Sequence, residues 1–583
     1  GKPLVETSCI SCGLCIETCP TGAIIDRIAW DKPGPWKLAE IPSTCGYCGV
    51  GCALTFHTKA GKVIKAGAGD PSTPTHGNLC RKGRFGVRYI HDTDRLITPV
   101  IGQETVAWPA ALAHLARTIK SMTAKVPGDE IAVCVSPRMT NEEAYLVQKF
   151  ARIILKTNNV FSISREINPE HRWDDVESTA TFTDIQLADT ILVSGADLPE
   201  NHPVAGFMVH HASRNTCRLI CIGTTENKIA HRADIFLKVV PGTESIAVMG
   251  LMKILSDSGK TAKHVPDAFN TALKSLAMKE ILTTTGLSEN DLNQAAAMLA
   301  EASRPVVISE TDFTGMRDPE DLRILRDLSG ITGGRLAVFT RFNNTRGVMD
   351  MGAVPNGFGG YQPADDPEVL AVYEKAWSSD LSDLKPAAGG FLQGLKDGRW
   401  KAVYIFGEDI PADAIPGETD AVSLLKSVDF LLVADVFRTS VMAHADVILP
   451  LCTPAETTGS FTSGLRQVSG VFKAIQPLTG IENWQIIVKL AQALKQRYKF
   501  DYLSIQDIRF EIQALNPLYR NTWRGESGNQ GIWETGTPPI AEKGWFDPTR
   551  ITSCPRASMV RSITPTNCVW SWFDTYWKQS GLK

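Results

Sequence analysis

The spacing of hydrophobic and polar positions changes three times along the chain. Over residues 53–70 (ALTFHTKAGKVIKAGAGD) they alternate with a period of two, and Ala60 and Gly61 stand where the chain must reverse, which predicts a small antiparallel hairpin. From about residue 130, short β-branched runs (EIAVCVS, TILVSGAD, CRLICIG, IFLKVV, PVVISE) alternate with helical stretches such as TNEEAYLVQKFARII. A second series follows as LAVF, AVYIFGED, FLLVADV and DVILP. Such alternation predicts parallel, doubly wound α/β sheets in two domains, because a crossover helix is what joins parallel neighbours. Near residue 500 the alternation gives out into a Trp-, Gly- and Pro-rich tail (WRGESGNQGIWETGTPPIAEKGWF), expected to be irregular, and its aromatics to dock on another protein or wrap across its own domains. No internal repeat is present. The expected division is 1–38, 39–100, 101–130 plus 331–495, 131–330, and a tail over 496–583.

Size and composition narrow this picture little. A chain of 583 residues holds several domains, since single cores stop growing near about 250–300 residues. The hydrophobic fraction of 43% and charged fraction of 21% are ordinary for a soluble protein, and no apolar run reaches the roughly 20 residues that span a bilayer, so no membrane insertion is expected. A net charge of -3 gives no basic field for nucleic acid.

The cysteines change the picture. Eight of the 14 fall within the first 80 residues, with no charged and apolar leader before them, which points to a reducing cytoplasm. In CGYCGVGC and the later NLCRKGRFG, Cys45, Cys48 and Cys52 share one loop and Cys80 returns from a later turn. Three close thiols plus one can occupy the corners of a 4Fe-4S cubane. Gly46, Gly49 and Gly51 let that loop fold tightly and aim its N–H groups at the cluster sulfurs. Zinc prefers paired knuckles on both sides, and the second half offers a single thiol. Disulfides fit a reducing compartment poorly. Residues 9–20, CISCGLCIETCP, form the ferredoxin run C-x2-C-x2-C-x3-C-P. Cys9, Cys12 and Cys15 are expected to hold a second cluster. Cys19 either closes that site or reaches for a neighbouring one. A purely apolar role for four cysteines at this spacing, with Pro20 and Gly22 following, is hard to sustain.

Other positions offer less. Cys134, Cys217 and Cys221 lie in or beside expected strands and read as small buried residues. Pro241–Ser245 (PGTES) opens a helix, either as a cap or as a seat for a nucleotide diphosphate. His202, His210 and His211 receive no role. Glu142, Glu143, Asp435 and Glu456 show no acid–base pairing, and the helix dipole accounts for Glu142 and Glu143.

The order of the ferredoxin run, the C-x2-C-x3-C-x27-C set with RKGRFG, and TNEEAYLVQKFAR resembles the cytoplasmic formate dehydrogenase alpha subunits of the molybdopterin oxidoreductase superfamily. It is also similar to the large iron-sulfur subunit of complex I. ADTILVSGADLPENHPV, VVPGTESIAVMGLMKIL, NNTRGVMDMGAVPN, GGYQP, AVYIFGEDIP and ADVILPLCTPAETTGSFTSGLRQV extend the likeness over about residues 5–495. The resemblance implies a cluster domain and two α/β domains around a pterin cleft. It also implies that Lys82 lies between cluster and pterin, or simply offsets cluster charge. Active members carry a Cys or selenocysteine metal ligand followed by His. The matching positions here are Ile167 and Asn168, and an aliphatic side chain has no lone pair for a metal. The substrate-orienting Arg falls on Thr340, with Arg341 one residue away. The chain ends near where a C-terminal barrel would begin. These departures argue against molybdopterin guanine dinucleotide with molybdenum or tungsten. The expectation is an electron-transfer subunit with at least two 4Fe-4S clusters, partnered by a flavin-containing NAD(P)H-linked subunit and by other iron-sulfur or ferredoxin-type subunits. The alternatives are a catalytic molybdenum or tungsten subunit with an unusual ligand, and a structural subunit braced by its clusters.

Overall fold

The computed structural model describes residues 9–25, 38–163, 178–262, 265–310, 319–387, 389–410, 420–523 and 532–534. Ile167, Asn168 and most of the aromatic tail lie outside the described residues.

A short helix, Leu14–Thr18, carries the ferredoxin run. Next comes an antiparallel sheet of β1 (Ala39–Thr44), β2 (Ala53–Lys59) and β3 (Lys62–Ala68). The expected hairpin is β2–β3: Lys59 faces Lys62 across a two-residue turn. Ala60 (φ 50°) and Gly61 (φ 75°) are both left-handed, as a turn that matches strand twist requires. The chain then returns through residues 69–79 to Cys80, which precedes the helix Arg81–Phe85.

The following strands are β4 (Val100–Ile101), β5 (Glu104–Thr105), β6 (Ile131–Val135) and β7 (Val160–Phe161). β8 (Thr190–Ser194), β9 (Arg218–Gly223), β10 (Ile235–Lys238), β11 (Pro305–Glu310) and β12 (Arg335–Phe339) come next. After the small ladder β13 (Gly357–Phe358) and β14 (Gln362–Pro363) come β15 (Ala402–Phe406), β16 (Phe430–Asp435) and β17 (Val447–Pro450). β18 (Gly459–Thr462), β19 (Gln467–Val471) and β20 (Ile532–Glu534) end the order.

Two sheets form the body. One has seven strands in the order β5-β4-β17-β16-β15-β6-β7, the other five parallel strands in the order β10-β9-β8-β11-β12. This departs from the expected division. β6 pairs in parallel with β15, so residues 131–161 belong with the later strand series, and β12 at 335–339 belongs with the earlier one. Sequence order misleads here because parallel strands must take neighbours across long crossovers. Alternation within β11 shows how the cores divide: Val306 and Ile308 join the core containing Cys45, Cys52 and Cys80, whereas Val307 joins the core on the opposite face. The cluster sheet therefore shares its core with one face of the five-stranded sheet.

All 13 residues of the helix Asn141–Ile153 are buried, its charged ones included. Thr140 and Glu143 close a capping box at its start. Glu142 pairs with Arg509 at 2.7 Å and accepts from the Ser460 N–H at 2.8 Å, so a specific ion pair and not only the helix dipole holds it. Lys149 reaches Glu511 at 2.7 Å, and Arg152 donates to Asn158, Gln148 and the carbonyls of Gly352, Val354 and Gly357. Arg509 and Glu511 come from a helix, Ile505–Leu515, in the stretch expected to be irregular from 496. Its Ile508, Ile512 and Leu515 enter the main core, and β20 adds a strand to β19. Among the described residues no barrel closes, and no helix is long and apolar enough to cross a membrane.

Arg95 and Glu456 form a second buried pair at 2.7 Å, with side chains 1% and 0% exposed, and Arg95 also donates to the carbonyls of Ile90 and Leu451. The pair ties the end of the cluster region to the loop after β17. Arg95→Met strands the buried carboxylate and is expected to cost about 3–5 kcal/mol, read as a lower urea midpoint. Arg95→Met combined with Glu456→Gln should recover part of that loss.

Candidate metal centre

Cys45 follows β1, and its N–H bonds the Cys52 carbonyl at 2.8 Å, closing the loop that carries Cys48. Gly51 (φ 63°) makes the turn, and its N–H bonds the Cys48 carbonyl at 3.1 Å. Gly49 is wedged in place: its N–H donates to the Thr340 carbonyl and its carbonyl accepts from the Gly464 N–H, each at 2.8 Å. A Cβ there would overlap Thr340. Cys80 enters from the other side at the start of the helix Arg81–Phe85, where a Cβ on Gly83 would overlap Leu79 and lie 3.2 Å from the Cys45 sulfur.

The four thiols line one cavity together with Lys82, Asn201, Pro203 and Val204. Cys45, Cys52 and Cys80 are buried and Cys48 is less covered. Burial, then the neighbouring thiols, pushes Cys45 and Cys52 well above the usual thiol range and Cys48 up to about 12, while Lys82 draws Cys45 and Cys48 down. Such a set does not ionise unaided, and a polynuclear iron core would supply the compensating positive charge. Among the described residues, no three His, Cys, Asp or Glu side chains converge on a single ion, so these thiols surround a space and not a point. Four thiols, three from one loop and one from the start of a helix, are a donor set that fits a 4Fe-4S cubane. All twelve described cysteines are free thiols, and Cys134, Cys217 and Cys221 are buried as expected.

The ferredoxin run sits beside this centre. Cys9 and Cys15 are exposed, and Cys12 and Cys19 are partly covered. The Thr21 hydroxyl, then the Ile24 N–H, draws Cys19 down to about 7, toward the thiolate form a metal requires. Arg84, on the helix that follows Cys80, donates through Nε to the Cys12 carbonyl at 2.8 Å and pairs with Glu17. Glu17 also accepts from the Ala68 N–H at 3.0 Å. Gly13 (φ 75°) lies so close to Arg84 and Phe85 that no side chain fits there.

Behind the thiol cavity, both sheets present the carboxyl ends of their strands. In each, the crossovers reverse direction at one point, between β6 and β15 and between β8 and β11, where doubly wound folds open their binding crevices. Arg138, after β6, lies 5.2 Å from the centre of the Phe342 ring, and Arg341, after β12, lies 5.4 Å from it. Thr340, the position aligned with the substrate-orienting Arg, instead seats Gly49, and its hydroxyl donates to the Phe342 carbonyl at 2.9 Å.

His202 received no role from the sequence, yet it is fully buried, 3.6 Å from Glu310 and against the Phe339 ring at 5.4 Å. Burial, with Lys82 second, pushes its imidazole down to about 3, so it is neutral. Sequence offered no signal for this pairing across more than a hundred residues. The Pro241–Ser245 turn does not cap its helix through a side chain. The Thr243 hydroxyl donates back to the Val240 carbonyl, the Ser245 hydroxyl donates to Asp321, and Glu244 stands in the first turn.

Residues 95–493 match the molybdopterin oxidoreductase family, 38–92 its Fe4S4 domain, and 3–25 a 4Fe-4S binding domain. The chain is 30% identical to the NADPH-Fe(3+) oxidoreductase subunit alpha of Geobacter sulfurreducens, over 90% of this chain and 63% of that one. It is 32% identical to the F420-dependent formate dehydrogenase subunit alpha of Methanocaldococcus jannaschii, over 82% of this chain and 74% of that one. It thus spans just under two thirds of the first relative. Acetylene hydratase from Pelobacter acetylenicus shares the fold, with a TM-score of 0.64 over 85% of this chain and 74% of that one, at 16% identity. With a glycine-wedged thiol loop set beneath two doubly wound sheets, and with that family's pattern spanning residues 95–493, the chain belongs to the molybdopterin oxidoreductase family and carries its Fe4S4 domain.

Proposed function

We propose that the chain is an iron-sulfur electron-transfer subunit of a larger oxidoreductase. One 4Fe-4S cluster rests on Cys9, Cys12, Cys15 and Cys19, the other on Cys45, Cys48, Cys52 and Cys80. The observation that carries this reading is Arg84: the helix begun by Cys80 donates to the carbonyl of Cys12, so one rigid turn joins the two thiol sets. When bound, the clusters supply one-electron exchange. The protein supplies the dry surroundings of Cys45, Cys52 and Cys80, the cation of Lys82, and the loop N–H groups, all of which tune the centres. The exposed Cys9 and Cys15 mark the side where a partner approaches. The similar proteins from Geobacter sulfurreducens and Methanocaldococcus jannaschii are named as alpha subunits, which supports partner subunits. A flavin-containing NAD(P)H-linked subunit and a further iron-sulfur or ferredoxin-type protein are the partners proposed.

We hold the α/β body to be non-catalytic, because Ile167 and Asn168 stand where a metal ligand and its His neighbour are needed. A second reading, a catalytic molybdenum or tungsten pterin subunit, is favoured by the Arg138–Phe342–Arg341 crevice, whose two cations suit a phosphate-bearing cofactor.

Iron, sulfide, molybdenum and tungsten measured together on the purified assembly decide between them. About eight iron per chain without stoichiometric molybdenum or tungsten is expected, and about one such metal per chain with bound pterin would overturn the non-catalytic body. Cys80→Ser and Cys12→Ser should each remove about four iron, from different centres distinguishable by electron paramagnetic resonance. Arg84→Leu should free residues 9–25 from the helix. The loss of charge-assisted hydrogen bonds worth about 1.5–3 kcal/mol predicts roughly ten- to hundredfold faster hydrogen exchange there.

A further inference from the structure

The three-stranded cluster sheet has two unlike faces, because successive side chains of a strand point to opposite sides. Leu54, Phe56 and Ala66 face the core that holds Cys45, Cys52 and Cys80. Glu40, His57 and Lys65 stand opposite one another on the outer face, across β1, β2 and β3, and Glu40 and Lys65 are exposed. Gly67, two residues after Lys65, falls on that outer face as well, yet it is buried. What covers it is the Glu17 carboxylate and the His57 ring: a Cβ at Gly67 would stand 2.9 Å from Glu17 Oε1 and 2.8 Å from His57 Nε2. The other ring nitrogen, Nδ1, lies 3.6 Å from Glu40. Glu17 comes from the helix Leu14–Thr18, between Cys15 and Cys19, so whatever holds Glu17 holds the ferredoxin run.

We infer that the bare backbone at Gly67, walled by His57, is a seat for Glu17 that fixes the separation of the two thiol sets, and that Gly67 and His57 are positioning residues for electron exchange between the centres. This rests on the relay reading, since it assumes a cluster in each set. The seat supplies a second, independent attachment. Glu17 Oε2 is held by Arg84, from the helix that follows Cys80, whereas Oε1 accepts from the Ala68 N–H of β3 at 3.0 Å. One attachment would leave the short helix a pivot; two from different elements fix its tilt. Tunnelling between centres falls exponentially with their separation, so a tilt of the run alters the rate directly. Only glycine leaves room for the carboxylate to reach the β3 backbone. The atoms that a side chain at 67 would meet are the ends of two flexible side chains on the outer face, so a larger residue there displaces Glu17 and leaves the core of the sheet standing.

The test is electron paramagnetic resonance of the full chain with both centres reduced, where two neighbouring spins split each other's signals and Cys12→Ser, by removing one centre, abolishes the splitting. In Gly67→Ala the iron content should stay at about eight per chain, each centre should keep its own g values, and the splitting should be lost. His57→Ala in the Gly67→Ala background makes room for Glu17 again and should restore it. Wild-type splitting in a fully loaded Gly67→Ala protein overturns the inference. A splitting that is lost and not restored by His57→Ala also overturns it, since that is the mark of a general distortion of β3. If Gly67→Ala loses iron, His57→Trp decides, because it fills the seat without changing β3: loss of the splitting with full iron supports the inference, and wild-type splitting overturns it. Failure of the relay reading itself looks different, as wild-type protein lacking iron or holding a centre that no donor reduces.

Discussion

The structure depends on how one loop is held. Gly49 donates to Thr340 at the end of the five-stranded sheet and accepts from Gly464 in the hairpin between β18 and β19. That hairpin is in turn fixed to the helix Asn141–Ile153 through Asn141, which donates to the hydroxyls of Ser460 and Thr462. Only a residue without a Cβ fits between the two, and its neighbours Cys48 and Val50 are thereby aimed into the thiol cavity. Every property assigned to the centre, its dryness, its charge environment and its nearness to the crevice, follows from that placement.

Charge is handled throughout by satisfying it in place. The most deeply buried helix carries two carboxylates, a lysine and an arginine, each answered by a specific partner. Lys149 is further enclosed by the rings of Trp377, Phe500 and Tyr502 within 5.7 Å, which stabilises a cation with little water nearby. Buried ions cost desolvation unless paired, so these contacts fix the register of the surrounding elements more than they add net stability. The Asp350 carboxylate plays the same part, accepting from Tyr361 and Tyr519 and so joining the loop at 350–361 to the C-terminal helix region.

What could be read from the sequence was whatever depended on local spacing. The eight cysteines, the β2–β3 hairpin and the helix Asn141–Ile153 were legible because their signals lie within a few residues of one another. Strand partnership was not: nothing local in IAVCV says that its neighbour is AVYIF, 271 positions later. The helix Ile505–Leu515 did have a local signal, the capping box of Ser504 and Asp507, but the composition of the following tail obscured it. Glu310 and His202 were silent because an apolar strand end and a lone histidine carry no period, and their meaning comes only from the fold.

The two-residue grip on Gly49 has a mechanical corollary. Its N–H is held by the Thr340 carbonyl and its carbonyl by the Gly464 N–H, so neither the end of β12 nor the β18–β19 turn can shift without pulling on the residue next to Cys48. A displacement of either neighbour is thereby passed straight into the thiol-bearing loop.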